Sequence, residues 1–315
     1  MGRYDHTQYV SMTMEFRCNL KCVHCMIEGT MDRLTPESME NFDRLLEHNR
    51  ANGQWSGLIL TGSEITLRRD LAELAKRARE SGFQHVRIQT HGMHLGRFEY
   101  ARRLVEAGVD EFFVSIAGAD AATHDGITLV PGSFEKSVRG LENIDRLEPA
   151  VSITNTVVTE QSYRLLPDIV DALAHVKRLT QMEFWFYFPM AETDAKGLVS
   201  SHVEALPYLK EAIRKARALG RDVEVKNFPE CLLAEDGPLL LNDQPQLYID
   251  SDFWIEFERN GFYQCVYKDI CESKQCLGLN TAYIEKFGWH KDQLRPIRHE
   301  AMSNLIAEKS SLLAN

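Results

Sequence analysis

The stretch FRCNLKCVHC, residues 16 to 25, places Cys18, Cys22 and Cys25 in the pattern C-x3-C-x2-C. They follow directly on an apolar strand-like run, YVSMTMEF, so they read as a ligand-bearing loop at the end of a strand. A structural metal site fills every coordination position, whereas a reactive one keeps a position open. Three cysteines therefore suit a site that something else completes. The chain has seven cysteines, the others at 231, 265, 271 and 276. An odd count fits disulfide pairing poorly and suits a reducing compartment. Two sets of thiolate ligands, one near each end, are the natural reading.

Around the first cysteine loop the chain alternates between apolar strand-like runs and amphipathic helical stretches. Strands are expected at 9–16, 57–62, 85–92, 111–118, 151–159 and 182–190. Helices are expected at 35–50, with Thr35 as N-cap and Pro36 at the first position, and at 67–82, closed by Gly82. Further helices are expected at 97–107, 132–147, 162–177 and 202–219. Strand–helix alternation means βαβ units and a parallel sheet, an α/β fold. Six such units fit a partial (β/α)6 barrel or a flat doubly wound sheet. In both, the active face lies at the carboxyl ends of the strands, where the cysteine loop falls. From about Val223 the alternation stops, so a division into 1–220 and 221–315 is expected. The second part would be a short hairpin-containing module closed by a helix over 297–313.

Hydrophobic residues make up 44% of the 315 and charged residues 26%, enough apolar material for a sizeable core. The formal net charge of −10 disfavours nucleic acid and favours a cationic partner. No apolar run reaches the length of a membrane span, and MGRYDHTQYV lacks the apolar segment of a signal peptide. The expected location is the cytoplasm.

The cysteine loop, with His24 just before the last cysteine, resembles that of the radical S-adenosylmethionine (SAM) superfamily. Further stretches carry the resemblance along the chain. LTGSEITL (60–67) resembles the family's Gly-Gly-Glu-Pro stretch, with Gly62 and Glu64 matching and Ser63 and Ile65 departing. QTHG (89–92) is similar to its Thr-Asn-Gly, with Thr90 and Gly92 matching and His91 in place of Asn. VSIAGADAATHDGIT (114–128) and NTVVT (155–159) resemble the fourth- and fifth-strand segments. The resemblance implies that Cys18, Cys22 and Cys25 hold a [4Fe–4S] cluster whose fourth iron chelates SAM. It further implies His24 against the adenine, Gly62, Ser63 and Glu64 around the methionine amino group, and Thr90, Ser115 and Asn155 as further SAM contacts. Cys231, Cys265, Cys271 and Cys276 resemble the Twitch and SPASM-like C-terminal domains, implying one auxiliary [4Fe–4S] cluster. Simpler alternatives stay open: a zinc site with His24 as the fourth ligand, and a structural zinc knuckle at the second set.

What the resemblance implies about chemistry is hydrogen abstraction from an unactivated C–H bond. An epimerase must return a hydrogen atom, often from a thiol. If both cysteine sets are consumed as ligands, no thiol remains, which favours dehydrogenation of a secondary alcohol. A tyrosine donor keeps epimerisation open. The first strand begins near residue 9, which leaves no room for a leader-binding domain and favours a small substrate over a peptide. In plan the chain resembles the enzymes that tailor aminoglycosides and aminocyclitols. A cationic aminosugar would want carboxylates, for which Glu192 and Asp194 and the acidic stretch between Cys231 and Cys265 are candidates. His91 is the candidate base, its ordinary pKa being near neutrality. The aromatic run FWFYF (184–188) reads as core packing on alternate faces. A one-electron donor such as flavodoxin or ferredoxin is the expected protein partner. The rivals are an epimerase, a peptide-modifying enzyme, and a metal-binding protein without turnover.

Overall fold

A computed structural model describes residues 5–27, 29 and 32–298. Eight strands form one sheet in the order β7-β6-β5-β4-β3-β2-β1-β8, every neighbouring pair parallel. They are β1 Tyr9–Glu15, β2 Gly57–Gly62, β3 His85–Thr90, β4 Glu111–Ser115, β5 Val151–Val158, β6 Leu179–Phe186, β7 Asp222–Lys226 and β8 Gln246–Tyr248. The helices are α1 Met39–Asn52, α2 Leu71–Glu80, α3 Phe98–Glu106, α4 Ala121–Thr128, α5 Ser133–Asp145, α6 Leu166–Ala172 and α7 His202–Ala218, followed by the short α8 Glu230–Leu233, α9 Asp252–Glu258 and α10 Thr281–Phe287.

The period-2 alternation of the strands decides which side chains meet the helices. Val10, Met12, Leu58, Leu60, Val86, Ile88, Phe112, Val114, Met182, Phe184 and Val225 join the apolar core shared with the helix layer. The intervening residues meet one another across the sheet. Tyr9, Ile59, Phe113 and Ile153, with Trp185 against them, form a second cluster drawn from five strands. The Tyr9 hydroxyl donates to Glu111 at 2.8 Å, three strands away, and His6 beside β1 reaches Glu224 on β7 at 3.0 Å. Such contacts require the sheet to curl, so that its inner face becomes a lumen. The barrel is open between β7 and β8, the two edges. The segment before β8 narrows that opening, because Leu240 bridges to Val225 before the chain crosses to β1.

Several boundaries differ from expectation. Ser38, not Thr35, caps α1, its Oγ accepting from Asn41 N at 3.1 Å, while Thr35 N donates to Asp250. Residues 65–67 form a separate 3-10 turn before α2. Helix α4, opened by a capping box of Asp120 and Thr123, arises in a stretch read as part of a strand motif. The sheet also continues past residue 220 into β7 and β8, so a division there passes through the barrel. The helix expected over 297–313 lies almost wholly outside the described residues.

A glycine that this arrangement cannot spare is Gly62, at φ +155. A Cβ there would lie 1.9 Å from the Glu15 carbonyl oxygen, at the point where β1 hands over to the cysteine loop. The Gly62→Ala variant is expected to lose about 3 kcal/mol of stability, since β1 and β2 must part to admit the methyl group. Urea unfolding of variant and parent checks this.

Candidate metal centre

The cysteine loop leaves β1 at the carboxyl end of the barrel and is strapped down from outside. Lys21 N donates to Thr128 O at 3.1 Å and Val23 N to Ile127 O at 2.9 Å, tying the loop to the end of α4. Lys196 Nζ donates to Val23 O at 3.0 Å from the far side. Within the loop, Cys25 N donates to Cys22 O at 3.0 Å, and Leu20 N lies 3.4 Å from the Cys18 sulfur. The three thiols are half-buried and form no disulfide. Burial pushes the Cys18 thiol up, with further upward contributions from Glu64 and Cys25, while the Leu20 N–H opposes it. Three thiols on a short strapped loop, one already receiving an N–H, match the donor set of an iron–sulfur cluster with an open iron.

Behind the loop lies Glu64, whose side chain is wholly buried. Its Oε1 accepts from Thr66 N at 3.0 Å, from the Thr66 hydroxyl, and from Thr90 Oγ1 at 2.7 Å. Its Oε2 accepts from His91 N at 2.8 Å. Thr90 in turn accepts from Gly92 N at 3.0 Å. The carboxylate is thus spent on joining the ends of β2 and β3. His91 completes the chain of contacts, its Nε2 lying 2.7 Å from Asn19 Oδ1, inside the cysteine loop, and 3.1 Å from Glu64 Oε2. Its Nδ1 accepts from Met93 N at 3.1 Å. Burial lowers the pKa of His91, with Glu64 opposing. With both ring nitrogens engaged, His91 has no lone pair to take a substrate proton; it positions the loop instead.

Other residues singled out in the sequence lie around the barrel mouth. Ser115 at the end of β4 is exposed and faces Asn155 across the β4–β5 pairing. Asn155 is buried, and its Nδ2 has no partner among the described residues. Ser63 has a buried, unpartnered hydroxyl, while its N–H donates to Glu15 O at 2.8 Å. His24 Nδ1 is also buried without a partner. Burial holds the His24 pKa down to about 4, with His124 and Lys196 adding to the effect, so the ring is neutral at pH 7. Unpaired polar atoms on Ser63, Asn155 and His24 are expensive unless a ligand pairs them.

The four later cysteines come together. Cys231, Cys265, Cys271 and Cys276 line one cavity with Pro229, Ser273 and Leu294 among its other walls. Burial raises the thiols of Cys231 and Cys276, and the neighbouring cysteines add to the rise. Backbone N–H groups of Tyr267, Gly278 and Ile297 each lie 3.4 Å from the sulfurs of Cys265, Cys276 and Cys271. Among the described residues no three donors converge as one metal ion would require. A cube of four irons, which takes its ligands at separate corners, asks for less convergence and welcomes such N–H groups.

A family model described as the radical SAM superfamily matches residues 13–173, the span that holds the end of β1, the cysteine loop and β2 to β5. The chain belongs to the radical SAM superfamily. Proteins of this superfamily bind a [4Fe–4S] cluster and SAM. The chain is 30% identical over 245 residues to the Fe-coproporphyrin III synthase of Methanosarcina barkeri, covering 78% of this chain and 59% of that one. It is 33% identical over 181 residues to a probable GTP 3′,8-cyclase of Methanopyrus kandleri, covering 57% and 56%. It thus spans little more than half the length of these curated relatives. Among solved structures, Streptococcus suis SuiB bound to precursor peptide SuiA aligns with 95% of this chain and 69% of its own, at 15% identity and a TM-score of 0.55. That likeness concerns the fold alone.

The acidic candidates for substrate contact are placed otherwise than expected. Asp194 accepts from Leu198 N and Val199 N, both at 2.9 Å, and from Lys286 Nζ at 3.0 Å, so it anchors the loop after β6 to α10. Glu192 is exposed. In the acidic stretch, Glu235 pairs with Lys210, Asp236 with Arg217, and Glu256 with Arg33 and Arg259. A carboxylate with its own cation attracts a second one weakly. Sequence reasoning missed Asn19, Thr66 and His124. Asn19 carries no signal, since its role depends on His91 arriving from seventy-two residues away.

Two outcomes are expected of this radical SAM centre. The His91→Ala variant frees Asn19, so iron held by the Cys18, Cys22 and Cys25 loop after anaerobic reconstitution should drop by at least about half. Because burial raises the Cys18, Cys231 and Cys276 thiols and ligation needs thiolates, iron uptake should increase from pH 6.5 to pH 8.5. Iron and sulfide assays across that range check the direction.

Proposed function

We propose that this radical SAM enzyme is an oxidoreductase that dehydrogenates a secondary alcohol of a small polar substrate, an aminosugar or aminocyclitol being the favoured class. The observation that carries the reading is the shared cavity of Cys231, Cys265, Cys271 and Cys276. With Cys18, Cys22 and Cys25 in the other loop, all seven cysteines fall into two ligand sets, which leaves no thiol to return a hydrogen atom to a substrate radical. When loaded, the first site supplies a 5′-deoxyadenosyl radical from SAM, and an auxiliary [4Fe–4S] cluster at the second supplies an acceptor for the remaining electron.

The residues of the chain bind and orient. Cys18, Cys22 and Cys25 would hold the first cluster, and the unpaired Ser63, Asn155 and His24 atoms would meet SAM. The lumen wall toward the mouth is polar and half-open: Thr61 donates to Gln89 at 2.6 Å, and Ser115 and Trp185 stand beside them on the inner face. Hydroxyls of a substrate suit such a wall, since each finds a donor or acceptor. Exposed Glu192 remains available to a cationic group. A flavodoxin- or ferredoxin-like protein would deliver the first electron.

A second reading rests on the relative named Fe-coproporphyrin III synthase, whose match extends over 78% of this chain. It makes a porphyrin the substrate. Two experiments separate the readings. Wild type should bind about eight irons per chain, falling to about four in a Cys18→Ala, Cys22→Ala, Cys25→Ala triple variant. About four falling to none would remove the auxiliary cluster and restore epimerisation as the better reading. Reconstituted enzyme with SAM and dithionite is then offered aminosugars, aminocyclitols and iron coproporphyrin III. A product lighter by two hydrogens from the first two groups supports the proposal. Turnover of the porphyrin alone overturns it.

A further inference from the structure

The inner face of the barrel carries a set of buried charges at its amino end, away from both cysteine sets. Glu183 on β6 and Glu224 on β7 stand directly opposite each other in the strand register, with side chains 1% and 0% exposed. Two like charges in direct cross-strand contact, without water, cannot both ionise cheaply. Glu183 accepts from Gln181 Nε2 at 2.9 Å and from Trp185 Nε1 at 2.7 Å. His6 Nε2 lies 3.0 Å from Glu224 Oε2. Among the described residues, Glu224 Oε1 and Gln181 Oε1 lack a donor, and Nδ2 of Asn155, which pairs with Glu183 in the strand register, lacks an acceptor. Burial and the Glu224 charge raise the Glu183 pKa, whereas His6 and Lys226 hold the Glu224 pKa down against its burial, so of the two Glu183 holds a proton more tightly.

The surrounding charges are placed at both ends of the pair. Lys226, one layer nearer the mouth and level with Trp185, has its ammonium 3.7 Å from Glu224 and 5.7 Å from the Trp185 ring. Arg87 on β3 faces the pair from across the lumen, itself held at 2.8 Å by Glu111 on β4, which also accepts from Tyr9 on β1. His6 lies just before β1 with its side chain 11% exposed. Its neighbour Asp5 lines a cavity of about 520 Å³ at the amino end of the barrel, together with Tyr9, His85, Asp110 and Glu111. An imidazole can take a proton on one nitrogen and release it from the other.

We propose that Glu183, Glu224 and His6 form a proton conduit from the lumen to the amino end of the barrel, which carries away the proton released when the substrate is oxidised. This rests on the dehydrogenase reading. A substrate radical at a carbinol carbon becomes a ketone by losing one electron, to the cluster at the second cysteine set, and the hydroxyl proton. Glu183 yields its proton to Glu224 and is reprotonated by that one, while the Lys226 ammonium, 3.7 Å from Glu224, keeps its charge. Glu224 passes one on through His6, and the exit opens opposite the mouth that the substrate and SAM fill. The conduit replaces the base that His91 cannot be.

The test reads the proton itself. Infrared spectra of the reconstituted full chain at pH 7 should contain a carboxylic-acid carbonyl band that disappears in Glu183→Gln. On transfer to D2O, His6→Phe should slow the deuterium shift of that band by about a hundredfold. His6→Gln, which keeps a polar side chain but carries no proton, should do the same, and unchanged melting curves show that the variants fold. Absence of a Glu183-dependent band overturns the proposal, as does an exchange rate unaffected by either His6 variant. If no substrate yields a product lighter by two hydrogens while band and exchange behave as stated, the dehydrogenase reading fails and the conduit stands.

Discussion

The buried carboxylate of Glu64 is the interaction on which the site depends. It accepts four donors from Thr66, Thr90 and His91, and so closes the ends of β2 and β3 onto one point. Through His91 it reaches Asn19, and through Asn19 the loop of Cys18, Cys22 and Cys25. A carboxylate without solvent holds such donors tightly, because each unmade bond would leave a buried polar group unpaired. The loop is thereby held from inside by one network and from outside by the backbone of α4. A short cysteine loop alone would have no reason to keep three thiols oriented.

The strands were legible because their apolar residues form short β-branched and aromatic runs between turn residues, and the helices because of their period. Less legible were the ends. Thr35 and Pro36 form a plausible helix start, yet Thr35 N finds Asp250, over two hundred residues away, and Ser38 caps α1 instead. Strand β7 was missed because DVEVK carries alternating charge, which reads as surface; it is buried because Glu224 and Lys226 point into a charged lumen. Strand β8 has only three residues and pairs with β1, at the opposite end of the chain.

The site shows the same division. Thr90 and Glu64 were recognised as important residues, but the sequence does not distinguish a side chain that touches a ligand from one that holds the wall. Asp194 looked like a substrate carboxylate and is a loop anchor bound by Lys286. His91 looked like a base and is a tether. In each case the deciding fact is a partner far away in the chain. The aromatic run after Glu183 divides by alternation, Phe184 and Phe186 entering the core while Trp185 turns to the lumen.

By itself the sequence determined the spacing of the first three cysteines and the parallel α/β frame that carries them at the strand ends. Those depend on residue type and local period, which are properties of the chain. The tertiary structure alone decided that the four later cysteines share a cavity, that the acids around the mouth are mostly spent on other contacts, and that an acid pair lies at the amino end of the lumen. Each follows from the curl of the sheet and the return of distant segments, which bring together groups that no sequence interval relates.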